Sequence, residues 1–162
     1  MKLEAILSSL LLVTLLSCST DKEESFFEKL DLKDMDGNAI TLKEIEGKMA
    51  FINLWSTTCK PCLKEMPSIE RAQSILEKEG YVFLAVSDEE AERIDRFTNR
   101  FDYSFQIARY GLSMAALEVY ALPASYIVND KGEMLYKHVG AREWDDKESL
   151  SLFRSYLKTN NQ

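Results

Sequence analysis

The side chains best able to do chemistry are Cys59 and Cys62, two thiols separated by two residues in the segment Trp55-Ser-Thr-Thr-Cys-Lys-Pro-Cys62. They follow an apolar run and open a helical pattern. Residues three apart at a helix start share one face, with a Cα separation that suits a disulfide. The pair can therefore open and close, exchanging two electrons with another thiol pair. Zinc is the competing chemistry, and it calls for four ligands. Beyond this pair the chain offers one histidine, His138, and one further cysteine, Cys18, so no metal site is expected. No cofactor is expected either, because the disulfide is itself the redox group.

Position alone assigns the two sulfurs different roles. Cys59, at the helix N-terminus, meets unpaired backbone N–H groups and the positive end of the helix dipole, which favour its thiolate and make it the attacking sulfur. Cys62, one turn inside, is shielded and resolves the mixed disulfide. Pro61 falls in the first turn, where its missing N–H costs nothing. Lys60 sets a cation beside the attacking sulfur. The bland alternatives are an inert structural disulfide for the pair and a solvated surface lysine for Lys60.

The elements that must position this pair are readable from periodicity and punctuation. Phe26 to Leu32 reads as a first strand, Asp36-Gly37-Asn38 as a turn and Ala39 to Leu42 as a second short strand, so a hairpin opens the domain. Thr41-Leu-Lys-Glu44 has capping-box spacing for a short helix that stops at Gly47. Met49 to Trp55 is continuously apolar, as in a central strand covered on both faces. Met66, Ile69, Ala72 and Leu76 then recur at helical spacing up to Gly80, with Pro67 expected to interrupt and kink the helix. Tyr81 to Val86 is the next buried strand, and a strand–helix–strand crossover implies parallel pairing and an α/β core. Asp88 to Phe101 reads as an amphipathic helix, Ser104 to Ala108 as a strand and Ser113 to Tyr120 as a short helix. A hairpin through Asp130-Lys-Gly132 and a last helix bearing Leu150, Phe153 and Leu157 complete the chain.

The 162 residues, 46% hydrophobic, suit one compact domain without repeats. A net charge of -7 argues against nucleic acid and anionic membrane surfaces as partners, since both would repel the protein. Residues 1–17 read as a signal peptide: Lys2 gives a charged start, and the largely apolar stretch from Ile6 to Leu16 is too short to span a bilayer comfortably. Leu15-Leu16-Ser17-Cys18 is similar to the lipobox of bacterial lipoproteins, in which cleavage leaves a lipidated cysteine first. That reading attaches Cys18 to a membrane and accounts for the odd cysteine count. It leaves residues 18–25 as a polar tether and 26–162 as the folded domain.

Taken together, Trp55-x-x-x-Cys59-x-Pro61-Cys62, Lys64-Glu65-Met66-Pro67 and Leu122-Pro123-Ala-Ser-Tyr-Ile-Val128 resemble the TlpA/ResA branch of the thioredoxin superfamily, over about residues 26–158. The resemblance implies a thioredoxin fold with an N-terminal β-hairpin extension and a central strand/helix insertion. It also implies a cis bond before Pro123, packed against the cysteines, and exposed backbone near Leu122 that can pair with an extended substrate. Trp55, Lys60, Pro61, Leu122 and Pro123 then form the expected substrate-binding set. Asn53 stands where thioredoxin itself carries a buried aspartate. In this branch an acidic residue three positions after the second cysteine takes over, so Glu65 is expected to accept the Cys62 proton with the help of a raised pKa. The family's aromatic residue before the first cysteine is Thr58 here. His138 reads as a surface or packing residue.

The resemblance further implies an extracytoplasmic, monomeric protein-disulfide reductase at the bacterial cell envelope. Its substrates would be disulfides of secreted or periplasmic proteins, and its electrons would come from a membrane-embedded thiol donor. Cytochrome c maturation is the best-known use of the family. Three other functions stay open at this point. A disulfide-forming oxidant shares the fold, and Lys60 moves the balance that way. A peroxidase would centre on one cysteine in a Thr/Pro-rich loop, and a copper-binding lipoprotein would want wider cysteine spacing and a placed histidine.

Overall fold

The computed structural model describes residues 24–160. The expected signal segment, the lipobox-like run and Cys18 lie outside the described residues. Six strands form one sheet: β1 (Leu32–Lys33), β2 (Met49–Leu54), β3 (Tyr81–Ser87), β4 (Gln106–Tyr110), β5 (Ala124–Val128) and β6 (Met134–Val139). Their order is β1-β4-β3-β2-β5-β6. The central strand β2 pairs parallel with β3 and antiparallel with β5, and β6 closes that edge antiparallel to β5. β4 runs parallel to β3, as a crossover through a helix requires.

Every residue of β2 is buried, which explains why all but Asn53 are apolar. Ala50, Ile52 and Leu54 face one apolar layer with α1 (Phe26–Lys29) and the short 3-10 turns Leu42–Ile45 and Met114–Leu117. Met49 and Phe51 face the other layer, with α2 (Lys60–Leu76), α3 (Ala91–Thr98) and α4 (Lys147–Asn160). Phe51 is the hub of that layer, with ring centroids 5.2 Å from Phe83, 4.7 Å from Trp144 and 5.3 Å from Phe153. Phe51→Ala is expected to remove about 3–5 kcal/mol of stability, because these rings cannot collapse into the space left. Urea unfolding of the purified domain would show this as a lower midpoint, and an unchanged midpoint would contradict it.

The N-terminal region differs from the sequence-based expectation. Phe26 to Leu32 is a single helical turn followed by a two-residue strand, not one strand. Ser25 Oγ accepts the Glu28 N–H while Glu28 Oε2 accepts the Ser25 N–H at 2.9 Å, a capping box that makes helix the local choice. Phe27 and Leu30, three apart, then both enter the core. The expected opening hairpin shrinks to one bridge, Lys33 to Ala39, and β1 pairs with β4 instead. Asp34 ties the turn tightly: its carboxylate takes the N–H groups of Asp36 and Asn38 at 2.9 and 2.8 Å, and its own N–H donates to the Asn38 carbonyl at 2.8 Å.

Other boundaries are shifted. α2 continues unbroken through Pro67, since Met66, Ile69, Ala72 and Leu76 pack both halves on the sheet. The helix expected to reach Phe101 ends at Thr98, and Phe101 is exposed. Ser113 to Tyr120 yields only a 3-10 turn, and the strand expected from Ser104 begins at Gln106. At the far end of the sheet, Gly132 packs so closely on the N-terminal segment that a Cβ would lie 2.8 Å from Leu42 Cδ2 and against Ser25 Oγ. Its φ of 82° is also one that glycine adopts freely.

Candidate active site

The C-terminal end of β2 delivers the chain into the loop 55–59 and then into α2. Cys59 is the N-cap of that helix: its backbone is extended, and its Sγ accepts the Cys62 N–H at 3.3 Å. A helix start leaves several N–H groups without partners, so the sulfur occupies the place an N-cap oxygen usually fills. Cys59 and Cys62 form a disulfide with a Cα separation of 5.3 Å. Cys59 is half-buried and Cys62 fully buried, so an incoming macromolecule meets Cys59 first. Lys60 and Pro61 are exposed beside it.

The loop is held from the segment after β3 and from α3. Glu89 accepts the Thr57 N–H at 2.6 Å and the Thr57 hydroxyl at 2.8 Å, and it pairs with Arg93 at 2.9 Å. Arg93 also donates to Thr57 Oγ1 at 2.9 Å. Thr57, Glu89 and Arg93 thus fix the approach to Cys59, with Thr58 left exposed at the position where an aromatic side chain is absent.

Glu65, one turn beyond Cys62 on the same helix, is only 2% exposed. Its carboxylate receives three hydrogen bonds: Asn53 Nδ2 donates to Oε1 at 2.8 Å, and the Arg142 backbone N–H and Trp144 Nε1–H both donate to Oε2 at 3.1 Å. Burial pushes its pKa above the ordinary glutamate range, and the negative charge of Glu143 adds to this; the three donors oppose the rise without cancelling it. Asn53 Nδ2 also donates to Ser125 Oγ at 2.9 Å, so one amide on the central strand joins the helix carboxylate to β5. The Asn53 Oδ1 atom has no partner.

The Leu122–Pro123 bond is cis. The Leu54–Ala124 register sets this loop beside the end of β2 where α2 begins, and the Gly140 N–H donates to the Pro123 carbonyl at 2.9 Å. Pro123 is buried, while Leu122 and Cys59 pack half-buried on the same apolar cluster. Trp55, expected among the substrate-binding side chains, is placed elsewhere by the structure. It is completely buried, tilted against Phe97 with centroids 5.4 Å apart, and presents no surface to a substrate. Its place after an apolar strand belongs to the core, which the motif did not reveal.

Seven contributors were not singled out from the sequence: Thr57, Glu89 and Arg93 on the approach to Cys59, Ser125 on β5, Ser68 on α2, and Arg142 and Trp144 in the connector between β6 and α4. Trp144 stands in a polar stretch, and a lone buried aromatic there was the only available signal. His138 lies on β6 with its ring perpendicular to Trp144 at 5.8 Å, and burial holds its pKa below the usual histidine value. Among the described residues, no group of three or more His, Cys, Asp or Glu could hold a metal ion.

A disulfide on the first turn of a helix, beside a cis-proline that opens an antiparallel strand, is the arrangement of the thioredoxin class of dithiol proteins. β3, β2, β5 and β6 have its core pairing, and β4 and β1 extend one edge. The AhpC/TSA family model matches residues 24–137. The ResA thiol–disulfide oxidoreductase of Halalkalibacterium halodurans is 37% identical over 112 residues, covering 67% of this chain and 64% of that protein. Its Bacillus cereus counterpart is 30% identical over 118 residues, covering 71% and 68%. The chain thus spans about two thirds of the length of these relatives. A Chlorobium tepidum structure assigned as the thiol:disulfide interchange protein DsbE shares the fold, with a TM-score of 0.68 at 22% identity, over 78% of this chain and 91% of that one. The chain belongs to the AhpC/TSA family and is a ResA-type thiol–disulfide oxidoreductase.

Proposed function

We propose that the protein reduces disulfides in secreted or periplasmic proteins, apocytochrome c among them, from a lipid anchor on Cys18 at the outer side of a bacterial membrane. The observation that carries this reading is the buried Glu65 carboxylate, one helical turn beyond a buried thiol that must lose a proton before it can attack. In the first step the Cys59 thiolate attacks a substrate disulfide, forming a mixed disulfide and releasing one substrate sulfur as thiolate. In the second step Cys62 gives its proton to Glu65, and its thiolate attacks Cys59 Sγ. The mixed disulfide breaks, the second substrate sulfur leaves and takes up the proton, and Cys59–Cys62 is left oxidised. The substrate gains two electrons, which a membrane-embedded thiol donor returns to the pair. Leu122 and Pro123 offer backbone for an extended substrate beside Cys59, with Lys60 and Pro61 lining the approach, and the protein acts as a monomer.

Equilibration with glutathione tests the direction. A reductase is expected to have a potential below about -180 mV, the range in which dithiol donors lie. A value well above that would make the protein a disulfide-forming oxidant. Support for reduction over peroxide chemistry comes from the paired cysteines on one helical turn, since attack on a peroxide needs only the more accessible one.

A further inference from the structure

Trp144 is wholly buried and is one of two tryptophans in the chain. It is fixed from several sides. Phe51 lies edge-on at 4.7 Å, Phe153 is at 5.9 Å, the His138 ring is perpendicular at 5.8 Å, and the Arg142 guanidinium lies over the indole at 5.1 Å. Its backbone N–H donates to Ser68 Oγ at 3.0 Å, and that hydroxyl donates to the Glu65 carbonyl at 2.7 Å. Its indole Nε1–H donates to Glu65 Oε2 at 3.1 Å. One residue therefore reaches Glu65 twice, at the peptide through Ser68 and at the carboxylate directly. Packing alone does not ask for this, because a phenylalanine would fill most of the same space without a donor.

We infer that Trp144 is a positioning residue for proton transfer from Cys62: its indole N–H holds the Glu65 carboxylate in place and sets the pH at which that carboxylate accepts the thiol proton. The inference rests on the proposed role of Glu65 and adds a residue beyond position 137, where the family match ends. A donor to a buried carboxylate favours the ionised form, and charge-assisted bonds of this kind are the stronger ones. Removing the indole N–H while keeping an aromatic ring leaves the burial and takes away one of three donors. Glu65 then holds its proton to higher pH. The charged and titratable groups around the site are Cys62 and Lys64 on α2, His138 on β6, and Arg142, Glu143 and Asp145 on the connector, with Asp145 engaged by Arg71 at 2.5 Å. Asn53 on β2 and Ser125 on β5 are neutral.

The aromatic disulfide DTNB separates the two steps. With reduced protein, the first thionitrobenzoate release reports attack by Cys59, and the second reports resolution by Cys62. In Trp144→Phe the acid limb of the second step is expected to move up by about one pH unit, the scale of one lost hydrogen bond to a charged group. Glu65→Gln is expected to abolish that limb, and adding Trp144→Phe to it should move nothing further. A limb that stays put in Trp144→Phe overturns the inference, whereas a limb that survives Glu65→Gln overturns the role of Glu65 itself. A limb that disappears in His138→Gln belongs to the histidine and overturns both. A second measurement needs no change at position 144, should Trp144→Phe not fold. In the wild-type protein labelled with 15N, the Trp144 indole resonance should follow the Glu65 titration and stop doing so in Glu65→Gln. The Trp55 indole, whose Nε1 has no partner, should not follow it. A Trp144 resonance that ignores pH overturns the inference.

Discussion

Replacing Cys62 with serine is expected to stop turnover at the mixed-disulfide stage and to leave substrate covalently attached to Cys59. A serine hydroxyl cannot displace a thiolate from a disulfide under these conditions, so the first step proceeds and the second does not. The adducts should appear on non-reducing gels of cells carrying the variant and disappear on reduction, and mass spectrometry should place the linkage on Cys59. Cys59→Ser should give no adduct at all, because Cys62 is completely buried and no substrate disulfide can reach it. Adducts forming through Cys62 in that variant would reverse the assignment of the two sulfurs. Wild-type turnover without any adduct in Cys62→Ser would remove Cys59 from the exchange.

The second large effect is expected from Glu65→Gln. Loss of a positioned proton acceptor should slow resolution by about a hundredfold, at the low end of what general-base groups contribute. The fold should tolerate the change for a specific reason. The introduced side-chain amide would meet the Asn53 amide where a carboxylate oxygen now accepts from it, and the two N–H groups on Oε2 still need an acceptor. Rotating Asn53 by half a turn about its amide brings Oδ1, now unpartnered, to face the new donor, while Ser125 Oγ can turn from acceptor to donor. The same variant reveals the linkage of folding to pH. Because Glu65 binds its proton more tightly in the folded state than in the unfolded one, the native protein holds more protons between the ordinary glutamate value and the raised one. Wild-type stability should therefore fall as pH rises through that window, and the Glu65→Gln protein should lack this fall. Denaturant midpoints measured across weakly acidic to neutral pH would decide it. Parallel curves for the two proteins would mean that Glu65 is not held above its usual range.

Much of this architecture could be read from single residues whose local signal and global place agree. The run Met49 to Leu54 is apolar at every position but Asn53 because both of its faces are covered, and Gly80, with φ of 102°, ends the segment after α2 where the helical period stops. Cys59 and Pro61 mark the start of α2 because helix starts have their own chemistry. The first segment went unread because Phe26 and Phe27 fit a strand and a helix equally, and the deciding Ser25–Glu28 pair is a local signal that was passed over. Trp144 was unreadable for another reason. It is separated from Glu65 by 79 positions, and nothing near it in the chain indicates which group its N–H will find. Trp55 misled in the opposite sense: the motif placed it beside the cysteines correctly, but a strand end that is buried on both sides turns the ring inward.

The close contact of Gly132 with Ser25 and Leu42 also decides how the molecule faces its surroundings. β5 runs antiparallel to β2, so the turn that carries Gly132 lies at the pole opposite to the one where α2 begins, and the chain enters the domain there. On the proposed anchor, that entry pole is the one nearer the lipid surface. The sulfurs would then point away from the lipid surface. Clients carried in the fluid above the bilayer would be met head-on, whereas the proposed donor embedded in that bilayer would be reached only when the whole domain tips over.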